Sequence, residues 1–100
     1  GSVYLLCCTE TRVTFTDTTT AQAVEGAYAS RALAEAQASW RFASETALRG
    51  DQVEVSDPTH WAYSAADGSG QVWTIVETPL FDARGQGRRS RARATAGGGA

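Results

Sequence analysis

One hundred residues with 42% hydrophobic side chains are enough for one hydrophobic core and too few for two domains that each fold alone. The longest apolar run, residues 3–8, is far short of the roughly 20 residues a bilayer span needs, and no basic segment precedes it, which argues for a soluble, cytoplasmic chain with no membrane partner. The formal charge of −2 conceals an uneven distribution: residues 1–83 carry eleven acids against Arg12, Arg31, Arg41 and Arg49, a balance of −7, while residues 84–100 carry five arginines and no acid.

Residues 3–8 (Val-Tyr-Leu-Leu-Cys-Cys) are apolar at every position, the pattern of a central strand buried on both faces. Cys7 and Cys8 are neighbours, so on a strand they point to opposite sides and do not pair with one another. With His60 they fall short of the four ligands of a structural zinc site, and no metal or cofactor is expected. Residues 12–16 alternate, with Val13 and Phe15 on one side, and read as the second strand of a hairpin.

Thr19 and Gln22 have the spacing of a capping box, which predicts a helix from about Thr20. Alanine then dominates as far as Arg49, and Gly50 is placed for a C-cap. Ala29, Leu33, Ala36, Trp40, Ala43 and Ala47 form a three-four stripe whose small residues would let the helix approach a sheet or another helix. Unbroken, such a helix would be about 45 Å long against a radius of gyration of about 13 Å for a domain of this size. It should therefore bend, near Gly26 or Ser39, or protrude towards a partner.

Beyond Gly50 the signals are short. Residues 53–55 alternate as a strand, Asp57-Pro58-Thr59 is a turn, and Trp61, Tyr63 and Ala65 alternate again. Residues 67–70 (Asp-Gly-Ser-Gly) make a hairpin turn into residues 72–76, which are mostly apolar on both sides, and Pro79 ends the strand. The expected fold class is α+β, an antiparallel sheet in the order β-β-α-β-β-β packed on one long, bent or protruding, alanine-rich helix. The domain should occupy residues 1–83. Residues 84–100, rich in arginine and glycine, lack large apolar side chains and read as a disordered tail.

One helix covers one face of a sheet, yet residues 3–8 and 72–76 are apolar on both. A second cover is required: a curled sheet, a homodimer, another protein or a ligand. The leading expectation is a noncatalytic binding or regulatory module acting by self-association or by binding a protein partner. A second is a nucleic-acid accessory protein, with Arg84, Arg88, Arg89, Arg91 and Arg93 contacting phosphates nonspecifically. A third is a small enzyme or ligand-binding protein with an apolar pocket between helix and sheet, around Trp40, His60, Trp61, Tyr63 and Trp73. His60 is the sole histidine and sits at the entrance to a strand, a place where a general base could act with Asp57, Glu54 or Glu77. No motif fixes such a geometry, and no catalytic residue is assigned.

Overall fold

A computed structural model describes residues 1–80, so the arginine-rich segment and the boundary expected near residue 83 lie outside the described residues. The fold is α+β, with a five-stranded antiparallel sheet and one helix in the chain order the sequence predicts. The elements are β1 (Ser2–Val13), β2 (Thr18–Tyr28), α1 (Arg31–Arg49) with a single 3-10 turn after it (Gly50–Gln52), β3 (Val53–Asp57), β4 (Ala62–Ala65) and β5 (Gly70–Pro79). Across the sheet the strands lie β2-β1-β5-β4-β3.

The first half of the chain departs from the sequence reading. β1 runs on through the polar residues 9–11 to Val13, and the hairpin turns at residues 14–17, closed by Thr14 N–H donating to the Asp17 carbonyl at 2.8 Å. Residues 20–28, expected to open the helix, form strand β2 instead. The capping-box spacing was coincidental: β1 offers ten residues of ladder to this segment, and pairing outweighs the modest helix propensity of a Thr-Ala stretch. The true N-cap is Ser30, whose hydroxyl accepts from Leu33 N–H at 3.2 Å. The predicted overhang disappears with the shorter helix, since 19 residues span only about 29 Å. At the other end Gly50 takes a positive φ of 52° and donates its N–H to the Thr46 carbonyl, as a C-terminal glycine can without a Cβ penalty.

The helix also faces the opposite way from the expected stripe. Ala34, Ala38 and Phe42 meet the sheet, with both alanines fully buried, whereas Ala29, Leu33, Ala36, Trp40, Ala43 and Ala47 are exposed. The small side chains of Ala34 and Ala38 still bring the helix close to the sheet, and Phe42 supplies the volume. The core below it joins Leu6 and Cys8 of β1, Tyr63 of β4 and Trp73 of β5 to Ala38 and Phe42. Burying Leu6 and Trp73 contributes about 2–3 kcal/mol each.

Two local features hold this layer together. Between Leu6 and Cys7 the register with β2 shifts, Leu6 facing Gly26 and Cys7 facing Val24, which leaves Glu25 as the extra residue of a bulge. Glu25 accepts from Trp73 Nε1 at 2.9 Å and lies 3.5 Å from the Arg41 guanidinium, so strand, core aromatic and helix are tied at one carboxylate. At β5 the backbone of Gly70 passes Tyr63 so closely that a Cβ would lie 2.2 Å from the Tyr63 carbonyl oxygen.

Candidate association surfaces

The aromatic residues proposed to line a pocket are split by the fold. Tyr63 and Trp73 meet at a tilt of 36° with ring centroids 6.3 Å apart, Trp61 packs against the same cluster, and Arg49 sits 5.3 Å from the Tyr63 ring centre. Trp40 is on the outer side of the helix, 63% exposed, and does not join them. Trp73 is 2% exposed and its indole N–H is committed to Glu25, so among the described residues these rings are part of the core cluster between helix and sheet. Nearby is an open cleft of about 210 Å³ lined by Glu10, Arg12, Arg49, Gln52, Tyr63 and Asp67. It is smaller than the ~300–1,000 Å³ of ordinary ligand sites, and four charged side chains, Glu10, Arg12, Arg49 and Asp67, are among its lining.

His60 lies away from that cleft, exposed in the turn before β4. Its Nδ1 is 2.7 Å from an Asp57 carboxylate oxygen, while the other Asp57 oxygen accepts from the Thr59 hydroxyl at 2.6 Å and the Thr59 N–H at 3.1 Å. The Thr59 hydroxyl, and then His60, hold the Asp57 carboxyl down to about 2. The turn is self-satisfied, and neither Glu54 nor Glu77 is hydrogen-bonded to His60. Among the described residues no cluster of histidine, cysteine and acids has the arrangement of a metal site, and no helix is long and apolar enough to cross a membrane. The five tail arginines lie outside the described residues.

The feature that stands out is the side of the sheet the helix leaves open. Leu6, Cys8 and Trp73 point to the helix, so the alternate residues of the same strands point away. On β1 these are Val3, Leu5, Cys7 and Thr9; facing them on β5 are Thr78, Val76, Thr74 and Val72. β2 adds Gln22, Val24 and Ala27, and β4 adds Ala62 opposite Val72. Going across the sheet from β2, the first charge on this side is Asp57, opposite Ala62 on the far edge strand. The centre is tightly paved, with Cys7 only 7% exposed, while Val24 and Val76 at its flanks are 62% and 47% exposed.

An antiparallel sheet with one wet face ordinarily alternates apolar residues with charged or strongly polar ones. Here the open face carries valine, leucine, threonine, alanine and cysteine, with Gln22 as its one amide from β2 to β4 and no charge. Residues 3–8, apolar at every position, and residues 72–76, apolar except for Thr74, signal this in the sequence; the exposed side of the helix was not legible, because alanine lies on all sides of it. Leu33 and Trp40 give that side a second, narrower apolar strip. The sequence matches no protein-family model, no curated protein and no solved structure.

Proposed function

We propose that this chain is a noncatalytic association module whose working surface is the open face of the sheet. The observation that carries the reading is the absence of any charged side chain on that face from β2 to β4. Uncharged, partly apolar surface of this extent contributes binding energy when covered and costs solubility when left bare. A partner able to cover it must itself present a flat, uncharged surface, because a charge brought against this face would lose hydration without gaining an ion pair.

The test is a charge placed at the centre of the face. Thr74 is exposed and lies opposite Cys7, so Thr74→Glu should leave the circular dichroism and melting of the full chain unchanged while weakening its association, with itself or with an isolated partner, at least tenfold. Association of Thr74→Glu and Val76→Lys at the affinity of the unmodified chain would refute the reading.

A further inference from the structure

Among the described residues the sheet has two unpaired edges, β2 and β3, and they are built differently. β3 is five residues long, contains Glu54 and Asp57, shifts register against β4 between Val53 and Val55, and runs straight into Pro58. Charge, bulge and proline are the devices that keep an edge from pairing with another strand. β2 is eleven residues long, and residues 18–24 (Thr-Thr-Thr-Ala-Gln-Ala-Val) contain no charge, no proline and no glycine. All seven are exposed, so this stretch is ordered by β1 alone and gains nothing from the core.

The direction of its main-chain groups follows from the ladder. Trp73 N–H donates to the Trp61 carbonyl on the β4 side at 3.0 Å, so Trp73 turns away from β1, and its partner Cys8 turns towards β2. Cys8 faces Ala23, and alternation then aims the N–H and C=O of Ala23, Ala21 and Thr19 at β1 and those of Gln22, Thr20 and Thr18 at open solvent. The hairpin end agrees: Val13, opposite Thr18, sends its N–H the other way, to Ser69 Oγ at 3.0 Å. Thr18 N–H is satisfied by the Asp17 carboxylate at 2.9 Å, which leaves Thr20 and Gln22 with outward donors and acceptors free for a new strand.

We propose that β2 is a pairing edge for a second copy of this chain, the two β2 strands running antiparallel about a two-fold axis at Ala21, so that two five-stranded sheets join into one of ten strands. In this register Thr20 of each copy and Gln22 of the other exchange both main-chain hydrogen bonds. Thr18 meets Val24, Thr19 meets Ala23, and Ala21 meets itself, with no charge inside the paired residues 18–24; one step beyond, Asp17 of each copy comes level with Glu25 of its mate, a like-charge pair at each end of the seam. The bulge at Glu25 ends the pairing on one side. On the other, the hairpin tip of each copy arrives level with Ala27 of its mate, where the wholly exposed Phe15 finds cover. The second copy is favoured over an unrelated peptide because the segment is complementary to its own reverse along its whole length.

This pairing uses main-chain groups at the rim and goes beyond the open-face reading, so the two can fail separately. Sedimentation equilibrium of the full chain should show a dimer at tens of micromolar. Gln22→Pro, which removes one outward donor from an edge and none from the β1 ladder, should weaken the dimer roughly tenfold or more with circular dichroism unchanged. Ala21→Cys in a Cys8→Ala background should form a disulfide-linked dimer on mild oxidation, because an antiparallel pair of this type has Cα atoms about 4.5 Å apart, within disulfide range. Ala23→Cys in the same background should not, since its mate is Thr19. A chain monomeric at every concentration overturns the edge pairing and leaves the open-face reading standing for another partner. A dimer insensitive to Gln22→Pro but lost in Thr74→Glu overturns the edge pairing in favour of the open face.

Discussion

Cys7 and Cys8 are adjacent in the chain and nearly equal in exposure, at 7% and 4%, yet they belong to different environments. Cys8 points to the helix side, where Gln71 Nε2 approaches its sulfur at 3.4 Å and Leu6, Trp73 and Phe42 share its cluster. Cys7 points to the open side and is shielded only by its neighbours on the sheet surface. One face of the sheet is closed by an α-helix; the other has the composition of a closed face without a cover among the described residues. The same alternation that builds the core therefore leaves a second layer of apolar side chains waiting for contact.

The largest effect that sharpens this comparison is Trp73→Ala. It removes the biggest fully buried side chain and leaves Glu25 without its indole donor, and should cost about 3–5 kcal/mol in urea unfolding. Next is Ala38→Leu, which forces extra volume between helix and sheet and should cost about 1–3 kcal/mol, visible as a lowered midpoint. Ala43→Leu on the exposed side of the same helix should be close to neutral and serves as its control.

A smaller effect concerns the thiols. Burial, and then the Glu25 carboxylate, push the Cys8 thiol up to about 11, so the folded chain keeps a proton that the unfolded chain releases near 9. The corresponding stability is complete below about pH 9 and declines as pH rises towards 11. Urea titrations across that window should show a slope that Cys8→Ala reduces. Smallest of all on stability is Thr74→Glu, expected to stay within about 0.5 kcal/mol because the open face contributes little to the isolated fold. A large destabilisation by Thr74→Glu would show that the open face already supports the monomer and would erase the contrast between the two faces.

The second half of the fold was legible from local signals. Gly50, Asp57-Pro58, the turn around Gly68 with its φ of 92°, and Pro79 each punctuate the chain through backbone chemistry that needs no tertiary context. The first half was not, because residues 18–28 carry neither a two-residue nor a three-four apolar period. Their state is decided by an available neighbour, β1, and not by propensity. The helix boundary moved for the same reason, to the serine whose hydroxyl could cap it. Its buried side was hidden by composition: alanines occupy both the true inner row, Ala34 and Ala38, and the outer stripe, and the large residues point the wrong way, with Leu33 and Trp40 on the outer stripe against Phe42 alone on the inner row. The pocket expected around the aromatic residues depended on Trp40 sharing a side with Trp73, which the rotation of the helix prevents.

The single extra residue at Glu25 makes β2 two strands of opposite parity spliced end to end. Beyond the splice, Gly26 and Tyr28 keep their cross-strand places opposite Leu6 and Tyr4; before it, residues 18–24 are set by a separate register. An insertion or deletion in residues 14–24 would change the register of the rim against β1, and with it the proposed two-fold at Ala21, while Glu25 continues to hold Trp73, so a length change there would alter association before it altered the core.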